Sequence, residues 1–159
     1  MAKFFAIKNS MAMKKAPFSI SIESDYKELW RYNLALIGEV TTSGKRVDVV
    51  RHLDEVASVG DNLKAAPSNY NPDRNIVIES AEGESLTLYI YVVAHTIPTE
   101  IREGEELFFE LRVRISHGGD MIYNRRHSVN TLSGENIEIH IDRGEVKIRK
   151  FGRLQSVEE

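Results

Sequence analysis

Glu106-Leu107-Phe108-Phe109-Glu110-Leu111-Arg112-Val113-Arg114-Ile115-Ser116 carries one apolar set at period two, Leu107, Phe109, Leu111, Val113 and Ile115. Glu110, Arg112 and Arg114 fall in the alternate set. Successive strand side chains point to opposite faces, so the stretch reads as a long strand with one face in a core and the other toward water or a partner.

The same period recurs on both sides of it. Phe18, Ile20 and Ile22 alternate with Ser19, Ser21 and Glu23, and Trp30, Tyr32, Leu34 and Leu36 alternate with Arg31, Asn33 and Ala35, two strands expected to neighbour each other across a Ser24-Asp25 turn. From residue 75 the chain reads almost wholly as strands, at 75–80, 86–94, 106–116, 121–127, 137–142 and 145–150. Turn residues punctuate them at Gly83, Gly104, Gly118-Gly119, Gly134 and Arg143-Gly144. In residues 86–93 both alternation sets are apolar or aromatic, with Tyr89, Tyr91 and Val93 opposing Leu88, Ile90 and Val92. That pattern suits a central strand covered on both faces.

The cover is sought in residues 46–58, where Val49, Val50, Leu53, Val56 and Ala57 fall at helical spacing and predict one amphipathic helix ending before Gly60. About eight short strands with one helix make a mainly β protein, an antiparallel β-sandwich or jelly-roll-like domain. It is expected to span residues 17–150, between a Lys-rich N-terminal arm at 1–16 and a C-terminal tail at 151–159. Residues 61–74, with two prolines and three asparagines, read as a long loop, and loops of that length are disproportionately functional.

Composition narrows the function classes. A chain of 159 residues can bury a core of its own, without disulfides. The absence of cysteine removes thiol nucleophiles and thiolate metal sites. A formal charge of −3 argues against a dedicated nucleic-acid binder, which carries a basic excess. The longest apolar run, residues 86–94, is too short for a membrane helix, and the N-terminus lacks a secretory pattern. The expected location is the cytoplasm or a particle assembled inside the cell.

No motif organises a reaction. Gly38 to Arg46 resembles a phosphate loop only loosely: five residues separate Gly38 from Gly44, and Arg46 stands where a hydroxyl should bind the metal. It reads as a strand-to-helix connection. His95, His117, His127 and His140 lie on or beside strands but in no short ligand spacing, so they are expected on the surface and no metal or other cofactor is assigned. No serine sits in a nucleophile elbow. Glu100, Glu103, Glu105 and Glu106 gather around Gly104 as a solvated acidic turn. Asn69, Tyr70, Asn71 and Asp73 combine amide and carboxylate oxygens with an aromatic face, the residue types of a small-ligand or carbohydrate site.

Hairpin register supplies the remaining clue. A two-residue turn at Arg143-Gly144 sets Ile141 against Val146, Ile139 against Ile148 and Glu138 against Arg149, so core and charge agree. The simplest register around Gly118-Gly119 instead opposes Arg112 and Arg125, which is unfavourable unless a bulge intervenes, the pairing stops early or an acidic partner holds the arginines. In that register Arg112, Arg114, Tyr123, Arg125 and His127 share one exposed face, a candidate interface for the acidic turn with Glu103 and Glu105 on another subunit. The expectation is a non-enzymatic structural or assembly protein, a self-associating β-sandwich subunit of a particle, tube or scaffold. Its partner is protein, chiefly copies of itself, with no nucleic acid and no membrane insertion. The alternative is a β-sandwich module that binds a small ligand or carbohydrate through Asn69, Tyr70, Asn71 and Asp73.

Overall fold

The computed structural model describes residues 14–96, 107–150 and 153–156. Glu103, Glu105, most of the arm and most of the tail lie outside them. Among the described residues ten strands follow one another: β1 (Ala16–Glu23), β2 (Tyr32–Thr42), β3 (Lys45–Asp54), β4 (Asn75–Gly83), β5 (Ser85–Ala94), β6 (Phe108–His117), β7 (Asp120–Asn130), β8 (Glu135–Asp142), β9 (Glu145–Lys150) and β10 (Arg153–Ser156), with a 3₁₀ turn at Leu29–Arg31. They form two antiparallel sheets, ordered β4-β1-β6-β7 and β10-β9-β8-β5-β2-β3, packed as a sandwich. No helix among the described residues is long and apolar enough to cross a membrane.

The core is built from the period-two sets. Phe18, Ile20 and Ile22 of β1 and Phe109, Leu111, Val113 and Ile115 of β6 face Leu34, Leu36, Leu88, Ile90, Ile137 and Ile139 of the other sheet, all buried. Leu107 precedes β6 and is 49% exposed, so the buried set starts at Phe109. β1 and β2 are not neighbours: the chain crosses between sheets at Ser24 to Arg31, and β1 lies between β4 and β6.

The expected helix at 46–58 is a strand. Ser43 and Gly44 both have positive φ (51° and 76°), which makes a two-residue hairpin turn that returns β3 alongside β2. Helical spacing arises there because β3 is an edge strand with apolar groups on both faces. Val49 and Leu53 share its outer side, while Asp48, Val50, His52 and Asp54 pair opposite the core residues of β2. Asp48 and Asp54 reach past the core rim toward the other sheet: Ala81 N–H donates to Asp48 Oδ2 (2.8 Å), and Arg74 Nε donates to Asp54 Oδ2 (2.6 Å). Carboxylates therefore stand where a central strand would be apolar.

The Arg143-Gly144 hairpin adopts the expected register, with Ile141 opposite Val146, Ile139 opposite Ile148 and Glu138 opposite Arg149. Gly134, at φ 72°, packs where an added Cβ would fall on the carbonyl oxygen of Val92. Backbone cannot yield as a side chain does, so Gly134→Ala is expected to cost about 2 kcal/mol from left-handed strain and overpacking, read from a denaturant midpoint.

Candidate functional site

A bulge between Ile115 and Ser116 shifts the β6–β7 register by one residue: Ser116 pairs with Met121 and Ile115 with Tyr123, leaving Ile122 unopposed, so that Arg112 faces Arg126 in place of Arg125. A one-residue slip turns every later side chain to the other face. Tyr123 and His127 are consequently buried between the sheets, and Arg125 shares their side of the strand, whereas Arg112 and Arg114 point outward. The five residues do not share an exposed face.

On the outer face Arg112 stands opposite Arg126, beside Arg114 and Glu110, in a shallow depression of about 390 Å³. Arg114 pairs with Glu23 (2.8 Å) and Arg126 with Glu110 (3.4 Å). With Asp25 also on the rim, three carboxylates balance three arginines. Exposed pairs of this kind are worth little each, and the balance leaves the depression without a net charge to attract a ligand.

Between the sheets, Tyr123 and His127 share a 2.7 Å hydrogen bond. Burial holds the Tyr123 hydroxyl well above its ordinary range and pushes His127 down from 6.5 to about 4, with Lys150 and Arg125 adding to the second shift. Lys150 donates to Ser128 O (3.0 Å) and lies 3.6 Å from Glu135 Oε2. Glu135 is 5% exposed, its Oε1 has no hydrogen-bond partner among the described residues, and desolvation raises its carboxyl against the opposing pull of Lys150. This seam joins β7 to β8 and β9 where the two sheets meet.

Three of the histidines expected on the surface are buried, each in a hydrogen bond: His95 to Trp30 O, His117 to Gly83 O, and His127 as above. His140 is on the outer face, bonded to Glu138 at 2.6 Å. Parity identified His140, but His95 and His117 sit at strand ends where parity says little. No group of three or more metal-ligating side chains gathers among the described residues.

No described residue covers the outer face of the six-stranded sheet. Residues 46–58 form a strand of that sheet and not a helix across it, and the second apolar set of β5, Tyr89, Tyr91 and Val93, lies beside Ile37, Ala35 and Leu53 of β2 and β3. Leu53 is 68% exposed, Ile37 39% and Val93 38%. The dual apolar pattern of 86–93 was a usable signal for this face; Ile37 and Leu53 had none beyond their strand.

The twenty residues between Asp54 and Asn75 form an irregular loop held by buried polar groups at both ends. Asn33 Oδ1 accepts from Val56 N–H (2.7 Å) and its Nδ2 donates to Ala57 O (2.7 Å). Arg74, buried, donates to Asp54 Oδ2, Asp54 O, Leu29 O and Tyr32 O at 2.6 to 3.0 Å. The loop and the end of β3 enclose a pocket of about 370 Å³ that brings Asn69, Tyr70 and Asn71 together with His52, Glu55 and Arg74. Asp73 is outside its lining; its N–H donates to Asn71 Oδ1 (2.9 Å).

No protein-family model and no curated protein matches the chain. Among solved structures the chain is similar to a DUF4425 family protein from Bacteroides ovatus ATCC 8483, with a TM-score of 0.44 and 11% identity, over 91% of this chain and all of that one. Nothing about function passes from it to this chain.

Proposed function

We propose that this chain is a non-enzymatic structural subunit, a β-sandwich that associates with copies of itself in a larger particle, tube or scaffold inside the cell. The supporting observation is the outer face of the six-stranded sheet, where Ile37, Leu53, Tyr89, Tyr91 and Val93 make an apolar strip that no described residue covers. Water-facing apolar strips of this kind mark contact surfaces, and tyrosine is favoured in them because it combines broad area with a polar tip.

The occupant is a second copy. The central row across the sheet runs Arg51, Ile37, Tyr89, Glu138 and Arg149, so charges of both signs flank the strip. A two-fold axis parallel to the strands lays β3 of one copy over β8 of the other and sets Arg51 against Glu138 in both directions. The arginine face of the other sheet is not needed for this contact.

Solution mass at low and high salt tests the reading. The wild type is expected to be oligomeric, and Leu53→Glu with Tyr89→Glu to weaken association by about thirtyfold or more, the worth of one hot-spot residue, while the unfolding midpoint stays in place. Arg112→Glu on the opposite face is expected to leave the mass unchanged. A wild-type monomer at both salt concentrations overturns the proposal.

A further inference from the structure

We infer that the pocket between the end of β3 and the 55–74 loop is a binding site for a neutral saccharide, separate from the self-association face. The first support is how the loop is held. Ordering a residue costs about 1–2 kcal/mol in backbone entropy, and a twenty-residue loop with few buried apolar groups recovers little of that from packing. Hydrogen bonds to buried side chains hold it instead: Asn33 at its start, Arg74 at its end, and Leu63 N–H to Thr96 Oγ1 (3.0 Å) between them. A surface shape fixed in this way is pre-organised, which lowers the cost of binding.

The second support is the chemistry of the lining. The Arg74 guanidinium lies 5.8 Å from the centre of the Tyr70 ring and steadies it at the pocket wall. Arg74 and Asp54 neutralise each other (2.6 Å), so the strong charges of the floor are spent. Around them the side chains of His52, Glu55 and Asn69 and the Tyr70 hydroxyl take no hydrogen bond from any described residue. Donors and acceptors are therefore mixed, with one free carboxylate.

A sugar matches this set on each count. Its hydroxyls both donate and accept, as amides, imidazole and carboxylate require, and its flat C–H face is apolar enough to lie on a tyrosine ring. A phosphorylated ligand would meet Glu55 without a free cation to offset it. A calcium ion would find too few oxygens. The volume, about 370 Å³, falls within the range of small-molecule sites.

The test uses the purified full chain against a glycan array, followed by calorimetric titration with maltohexaose, cellohexaose and chitohexaose. Binding of at least one neutral glycan is expected, weakened about tenfold or more by Tyr70→Ala and by Asn69→Ala, and retained within a few-fold by Tyr70→Phe, which keeps the ring. Circular dichroism and the unfolding midpoint of each variant check that the fold is intact. Absence of any neutral-glycan binding up to about 10 mM overturns the inference, as does binding that survives both alanine variants or that requires a charged sugar.

Discussion

Replacing Arg74 with methionine is expected to lower the unfolding free energy by about 2–4 kcal/mol, because it strips the half-buried Asp54 carboxylate and the buried carbonyls around it of their donor. The side chain is buried, and four hydrogen bonds tie it to the Asp54 carboxylate and the carbonyls of Asp54, Leu29 and Tyr32. Methionine fills much of the same space, so the loss comes from acceptors deprived of donors rather than from a cavity. For a domain of this size the midpoint of thermal unfolding should fall by roughly 10 °C. A cycle with Asp54→Ala separates the ion pair from the carbonyl contacts: a coupling above about 1 kcal/mol is expected between the two sites. A loss from Arg74→Met below about 1 kcal/mol would mean that water replaces the guanidinium and that the loop is held some other way.

The second large effect depends on pH and belongs to His127. Burial beside Lys150 and Arg125 brings its pKa down to about 4, while the unfolded chain keeps the ordinary 6.5. At pH 7 both states are neutral at this site. As pH falls below about 6.5 the unfolded chain takes up a proton that the folded chain refuses, so stability drops, and the drop ends near pH 4 when the folded ring protonates as well. The interval amounts to roughly 3 kcal/mol.

Glu135 acts in the opposite sense. Its carboxyl is raised by burial, so from about pH 4.5 upward the folded chain holds a proton that the unfolded chain has released, and its contribution declines as pH rises through that window. Wild type and His127→Gln compared at each pH isolate the histidine. Urea denaturation between pH 7 and 4 is expected to show the wild type losing roughly 3 kcal/mol more than the variant. Parallel pH profiles would exclude a proton uptake at His127.

Much of the sandwich was legible because it rests on strict alternation. Phe18, Ile20 and Ile22, or Leu111, Val113 and Ile115, report their burial by parity alone, and the Arg143-Gly144 register follows from requiring apolar and charged pairs to agree together. The misread segment, 46–58, lies at an edge, where side chains on the core side reach over the rim and need not be apolar. Ser43-Gly44 was the overlooked signal, since two residues able to take positive φ between apolar segments mark a hairpin.

The candidate sites were legible only in part. Asn69, Tyr70 and Asn71 drew attention by residue type, and the pocket that unites them draws on His52 and Glu55 beyond them in the chain. Arg74 looked like any arginine in a polar loop, because its four acceptors come from segments up to 45 residues distant. A single unpaired residue, Ile122, inverts the parity of Tyr123, Arg125 and His127 and turns them from the outer face to the inner one.

By itself, then, the sequence determined the fold class and most of the core, since period-two patterning is local and repeats down each strand. Tertiary structure decided which faces remain open. Whether the second apolar side of β5 is covered depends on where residues 46–58 pack, and which side of β7 meets solvent depends on one bulge. Both are settled by long-range pairing energies that no window of neighbouring residues contains. The long strand at residues 106–116 shows the division within one element: its inward set is written in its own alternation, while the surroundings of Arg112 and Arg114 were set by the strands that pair beside it.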